Sequence, residues 1–277
     1  MTPDLDPADR PGGLVTDPDA LADLGASLVG FVETAVAEAD AERAVVALDG
    51  GVESAVVATL AADALGPDRV TALVMPAHLS SEAPARDAEA VAAGLGLEAE
   101  RVHLGPMLAA FREVMGETGA PADDVVAVSN ALSRFRMACA YYLANTSNGV
   151  VFGTATRTDR LLGAVAKHGD VGADFLPLGD RYYTEVRALA HELALPDAVV
   201  AGPRGGFAVG PTDAETLGVP ERTLDELLVA LVDADLSPAA AAERAGVSVE
   251  AAERVASWRA ATAHKRRLPP TPATYGG

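Results

Sequence analysis

Residues Val45–Ser54 read VVALDGGVES, and this stretch decides the fold. It begins inside a short apolar run, Ala44 to Leu48, of the kind that makes a strand buried on both faces. Gly50 and Gly51 then permit a sharp turn, and Glu53 to Leu65 continues as a helix. A strand that ends in paired glycines and opens a helix gathers backbone N–H groups and the positive helix end at one point. Phosphate is the natural guest there. A plain strand-to-helix turn needs the same small residues, so spacing alone leaves both readings open.

The alternation continues outward from this turn. Leu21, Leu24, Leu28, Phe31, Val32 and Val36 recur at helical spacing, predicting a helix up to Ala41. Val70–Met75 repeats the strand pattern, Glu82–Leu95 the helix, and Arg101–Leu104 predicts a third, shorter strand. A long helix over about Val125–Asn145 leads into the apolar Val150–Gly153. Strand alternating with helix predicts an α/β fold: a doubly wound parallel sheet flanked by helices, its ligand crevice at the strand ends after Leu48 and Phe152. Residues 1–18, rich in Pro, Gly and Asp, predict a mobile leader, and residues 19–277 a single α/β domain. Gly163–Asp180, GAVAKHGDVGADFLPLGD, has the length of a binding loop ahead of a helix over about Tyr182–Leu195. Leu224–Arg267 predicts three closing helices.

Composition narrows the function. With 21 Lys+Arg against 40 Asp+Glu the net charge is −19, which opposes nucleic-acid binding. Leu236–Ala261 approaches a helix-turn-helix pattern, but its recognition helix would start SVEAAERV and turn two glutamates toward phosphates. Apolar stretches are broken by Asp, Glu or Gly before they reach bilayer length, so no membrane partner is expected. The acidic N-terminus MTPDLDPADRPGG has no secretory pattern, and a cytoplasmic location is expected. Cys139 stands alone, which forbids an intrachain disulfide or a cysteine metal cluster. The five histidines, at 78, 103, 168, 191 and 264, form no close ligand pair, against a metal-hydrolase reading. Only Lys167 and Lys265 are lysines; an acidic, lysine-poor surface suits a salt-rich cytosol. The chain has no Ile and no Gln, a general drift that makes a missing Gln weigh less than a missing Lys.

Neither G-x-x-x-x-G-K-[ST] nor G-x-G-x-x-G occurs, which excludes a Walker ATPase and the usual dinucleotide fingerprint. VVALDGGVESAVVATLAADALG instead resembles the pyrophosphate-binding loop of ATP pyrophosphatases, the PP-loop superfamily, whose usual form is Ser-Gly-Gly-x-Asp-Ser. Downstream the chain is similar to ammonia-dependent NAD synthetases through Asn130–Asn145, Val150–Ala190, Gly210–Gly218 and His264–Pro270, in family order over about residues 20–272. The resemblance implies a ligase that uses ATP to adenylate the carboxylate of deamido-NAD, after which ammonia displaces AMP, with Mg2+ on the phosphates. It also implies a homodimer with the helix at 130–146 in its interface. A glutamine-fed enzyme is excluded by length and by the lack of a glutaminase cysteine.

Carried over residue by residue, the resemblance assigns Gly50, Gly51 and Ser54, with Asp49, to ATP binding, and Thr154 to the nucleotide side. Asn130, Arg134 and Arg136 match the helix that shapes the dinucleotide site. Lys167, Gly169, Asp170, Gly172 and Asp174 match the segment that holds deamido-NAD, with His168 and Val171 replacing its Tyr and a Gly. Glu53 and Asp159 stand at the positions of the metal carboxylates with their side-chain lengths exchanged, and with Lys167 they make the expected catalytic set. The pair either still serves magnesium after a small shift of the ion or has drifted from an abandoned site. Three departures bear on activity. Asp49 replaces the first serine of the loop, while Tyr183 and Gly202 replace lysines expected near the phosphates. Pro211 and Ala214 replace a Gln and a Glu of a further signature, of which Thr212 and Asp213 remain. Two answers stand: Asp49 recruits a second cation, or the chain is a catalytically weakened paralogue that binds a nucleotide in a regulatory or scaffolding role. Lys265, Arg266 and Arg267 either supply replacement charge or form a frayed basic tail.

Overall fold

The computed structural model describes residues 13–119, 121, 123–169, 171–202, 204, 207 and 210–267. Four strands form one parallel sheet: β1 (Arg43–Leu48), β2 (Val70–Val74), β3 (Glu98–Arg101) and β4 (Gly149–Phe152), in the spatial order β3-β2-β1-β4. β1 pairs with β2 through Ala44↔Val70 to Leu48↔Val74, and with β4 through Arg43↔Gly149 to Val46↔Phe152. The chain therefore leaves β1 to one side and returns beside it on the other. That reversal makes the carboxyl ends of β1 and β4 the switch point where α/β sheets bind ligands.

Alternate residues of β1 enter different cores, which is why its sequence is continuously apolar. Ala44, Val46 and Leu48 face one cluster with α1 (Pro18–Glu38), α2 (Val52–Leu65) and α7 (Tyr183–Glu192). Val45 faces another with α4 (Gly105–Gly116) and α5 (Val125–Thr146). α1 is long and apolar enough to cross a membrane by length and composition, but Leu21, Leu24, Leu28, Val32 and Val36 are packed in the first core. Asp17 caps it, accepting from Asp19 N–H at 3.1 Å. Val15, inside the stretch expected as a leader, donates its N–H to the buried Glu185 at 2.9 Å; residues 1–12 of that leader lie outside the described residues.

A third core belongs to α6 (Arg157–Leu162), α9 (Asp213–Leu217), α10 (Glu221–Leu228), α11 (Pro238–Ala245) and α12 (Val249–Ala261). The three helices expected at the C-terminus are the last three of these, with a wide turn at Val229–Asp233 after α10. Buried polar groups tie the helices of this core to one another and to the start of α7. Arg157 pairs with Asp233, which also accepts from Tyr182 Oη at 2.9 Å. Asp225 accepts from Thr158 Oγ1 at 2.6 Å and from Thr184 N–H at 2.8 Å, joining the starts of α6 and α7.

The third strand departs from the sequence expectation of 101–104. β3 is an edge strand whose four residues Glu98–Arg101 are all exposed, so it carries no apolar signal; Leu104, which does, is buried just before α4. α4 and the short α6, α8 (Asp197–Val200) and α9 were not expected.

Candidate active site

Gly50 sits at φ +87°, and a Cβ there would lie 2.5 Å from the Pro84 carbonyl oxygen; only glycine can make this turn. Gly51 is the N-cap of α2 and no side chain caps the helix. The first amides of α2 are thus left to solvent or an anion. Asp49 turns inward upon this loop: its Oδ1 accepts from Gly51 N–H at 2.9 Å and from Ser54 Oγ at 2.7 Å. The cradle expected for phosphate therefore holds the chain's own carboxylate on two of its donors. That geometry gives Asp49 a purpose in the free loop other than recruiting a cation.

Glu53 rises from the first turn of α2 and Asp159 from the first turn of α6, across the switch point. Asp159 is fixed by its own helix: its Oδ2 accepts from Thr156 N–H at 2.8 Å and Thr156 Oγ1 at 2.6 Å, closing a capping box. Its Oδ1 pairs with Arg204. Arg204 Nε also lies 3.6 Å from Glu53 Oε1, and the guanidinium carbon stands 4.5 Å over the ring of Tyr183. Glu53 Oε2 is buried without a hydrogen-bond partner among the described residues. Burial, then the Asp159 carboxylate, pushes the Glu53 carboxyl up to about 8, with Arg204 pulling the other way.

Arg204 is the residue sequence reading missed. Tyr183 and Gly202 read as lost cations, yet a cation is supplied two residues beyond Gly202, and Tyr183 is the platform on which it lies. Nothing in a glycine-rich stretch of sequence marks Arg204.

The fit to magnesium can be judged from these donors. Magnesium takes near-octahedral oxygens at about 2.0–2.1 Å and keeps several waters. Asp159 has both oxygens engaged, the place between it and Glu53 is held by a guanidinium, and the described residues contain no group of three or more acids, histidines or cysteines arranged for a metal. As arranged, the pair does not fit the ion.

The other expected residues are placed in two groups. Thr154 follows β4 at the same sheet end as Gly50 and Gly51. Arg134 donates to the Lys167 carbonyl at 3.2 Å and the Asn130 carbonyl at 3.0 Å, tying α5 to the 163–180 loop. Asp174 accepts from Tyr141 Oη at 2.8 Å and Val151 N–H at 2.8 Å, pinning the same loop to β4. Gly169 passes so close to Ser133 that a Cβ would lie 2.1 Å from its Oγ. Lys167 Nζ donates to the His264 carbonyl at 3.1 Å. Asp170 lies outside the described residues. The C-terminal bases are not frayed: Lys265 Nζ donates to the Gly163 carbonyl at 2.7 Å and Arg266 to the Leu161 carbonyl at 2.7 Å, capping the end of α6.

Comparison with known proteins decides the family. The sequence model of the family described as NAD synthase matches residues 24–269. The chain belongs to the NAD synthase family. It is 38% identical over 243 residues to the NH3-dependent NAD+ synthetase of Halobacterium salinarum, covering 87% of this chain and 90% of that one. To the protein of the same description from Hyperthermus butylicus it is 36% identical over 248 residues, covering 89% and 88%. Among solved structures, NMN synthetase from Francisella tularensis superposes with a TM-score of 0.79 at 28% identity, over 93% of this chain and 99% of that one. NH3-dependent NAD synthetase from Campylobacter jejuni does so at 0.76 and 26%, over 91% and 98%. The likeness of this NAD synthase family member to whole synthetases confirms the doubly wound fold and the family expected from the sequence.

Proposed function

We infer that this chain is an ammonia-dependent NAD synthetase. The carboxylate of deamido-NAD attacks the α-phosphorus of ATP, pyrophosphate leaves, and ammonia displaces AMP from the acyl-adenylate while losing a proton. The observation that carries this assignment of sites is the meeting of Glu53, from the β1–α2 turn, with Asp159, from the β4–α6 turn, at the switch point beside an uncapped helix start.

Gly51 N–H, Ser54 and the first amides of α2 hold the pyrophosphate once Asp49 yields them, and Thr154 meets the nucleotide from β4. Arg204 puts a buried positive charge where negative charge develops during adenylyl transfer. Asn130, Arg134, Asp170 and Asp174, with Lys167, form the dinucleotide side. Arg134 and Asp174 serve it by holding the 163–180 loop against α5 and β4. Magnesium is expected for the family's chemistry. We further expect a cytoplasmic homodimer built on α5; the high exposure of Val126 (70%) and Tyr142 (71%) on that helix supports it.

The test is direct. Purified protein in high salt with ATP, magnesium, ammonium and deamido-NAD should form AMP and NAD in equal amounts. Nicotinate mononucleotide is run in parallel because one structural neighbour is an NMN synthetase. Absence of AMP with either acid overturns the ligase reading.

A further inference from the structure

Arg204 lies between two carboxyl groups, Glu53 and Asp159, that come from different elements. The side chains of Glu53, Asp159 and Arg204 are exposed to only 10%, 16% and 9%. A guanidinium suits this place: its planar fork reaches both acids and its face rests on an aromatic ring. Glu53 Oε1 stands 3.6 Å from Arg204 Nε, while Oε2 is buried and has no hydrogen-bond partner among the described residues. The pair therefore carries an oxygen that Arg204 does not satisfy.

A divalent ion bridging the pair would need the Asp159 oxygen that Arg204 now faces. Asp159 has no other to give, since Oδ2 is held by the Thr156 N–H and hydroxyl. An ion at about 2 Å from Asp159 Oδ1 would stand within about 4 Å of the guanidinium, where like charges repel strongly even at an effective dielectric near 20. Guanidinium and metal exclude one another.

We propose that Arg204 is a tethered cation that occupies the seat between Glu53 and Asp159 in the nucleotide-free protein, so that this pair takes up a divalent metal ion only after the guanidinium has left. The proposal rests on the reading of Glu53 and Asp159 as the metal-facing pair of the synthetase site, and it concerns binding in the absence of any substrate.

The experiment is titration of nucleotide-free full-length protein with Mn2+, followed by the electron-spin resonance of the free ion. Wild type should leave the free signal unchanged through the sub-millimolar range. Arg204→Met, which keeps bulk over Tyr183 and removes the charge, should bind one Mn2+ per chain, roughly a hundredfold more tightly than wild type. Adding Glu53→Gln should abolish that site, and Arg204→Lys should behave as wild type. If Arg204→Met does not fold alone, refolding with Mn2+ should restore it, whereas wild type refolds equally well with or without the ion. Stoichiometric Mn2+ uptake by wild type overturns the proposal, as does an Arg204→Met protein that binds none or is not restored by it. Failure to make NAD would overturn the ligase reading and leave these outcomes unchanged.

Discussion

Replacing Asp49 with serine should tighten ATP binding and weaken the free protein, and both effects follow from the same two hydrogen bonds. Asp49 Oδ1 accepts from Gly51 N–H at 2.9 Å and Ser54 Oγ at 2.7 Å. A phosphate oxygen that claims either donor comes within about 4 Å of that carboxylate, where two unit charges repel by about 4 kcal/mol at an effective dielectric near 20. Asp49 is half-buried, so screening by solvent reduces this to about 1.5–3 kcal/mol, a gain of roughly 10- to 100-fold in affinity on removing the charge. In the free protein the same change removes hydrogen bonds to a charged acceptor, worth about 1.5–3 kcal/mol each at most, of which serine regains part. It also removes a favourable charge at the start of α2, about 0.3–1 kcal/mol. The variant should therefore melt several degrees lower.

The assay is calorimetric titration with ATP at two salt concentrations, because repulsion of a half-exposed charge grows as salt is removed. Wild type should lose affinity on lowering the salt more steeply than Asp49→Ser. Asp49→Asn separates charge from shape: it keeps an acceptor for Gly51 N–H and should recover most of the affinity with less loss of stability. Unchanged or weaker ATP binding in both variants refutes the electrostatic account of this loop.

Other outcomes follow from the buried groups. Folded Glu53 holds its proton up to about 8, while the unfolded chain releases it near 4.5, so its contribution is fully present below 4.5 and is lost as pH rises through 8. Melting curves from pH 5 to 8 should fall more steeply in wild type than in Glu53→Gln, by up to about 1.4 kcal/mol per pH unit; parallel profiles contradict this. Asp233→Ala removes the carboxylate shared by the buried Arg157 and Tyr182, and should cost about 3–5 kcal/mol in denaturant unfolding, against less than 1 if the pair is idle. Among the described residues Lys167 Nζ bonds the His264 carbonyl, so in Lys167→Met the denaturation midpoint should stay in place while kcat/KM for deamido-NAD drops at least about tenfold; an unchanged kcat/KM removes Lys167 from the site.

What the sequence disclosed and what it hid divide along a physical line. The β1–α2 turn was legible because its determinants are local: a run buried on both faces, then a glycine that the Pro84 carbonyl leaves no room to replace. The helix at 125–146 was legible from its length, and the parallel sheet from the alternation of strands and helices. β3 was misplaced because an edge strand with four exposed residues follows no hydrophobic period. Arg204 was hidden for a different reason. Its meaning is a relation among three segments distant in sequence, and a single arginine in an irregular loop has no period to betray it.

That relation changes how the substitutions at 49 and 183 are to be understood. Taken one at a time, an acid in the phosphate loop and a tyrosine where a cation was expected both argue for decay. In the fold both belong to one arrangement of interacting groups. Asp49 satisfies donors that an absent phosphate would otherwise satisfy. Arg204 compensates the Asp159 carboxylate and lies 3.6 Å from Glu53, and it can lie where it does because position 183 presents a ring and not a second cation. A lysine at 183 would set two positive charges against one another in the same enclosure. The free site is thus closed on internal ions, and binding must proceed by exchange: anion for anion at Asp49, cation for cation at Arg204. Each exchange moves an internal ion aside before a like charge arrives, so that a triphosphate does not meet the Asp49 carboxylate at contact distance.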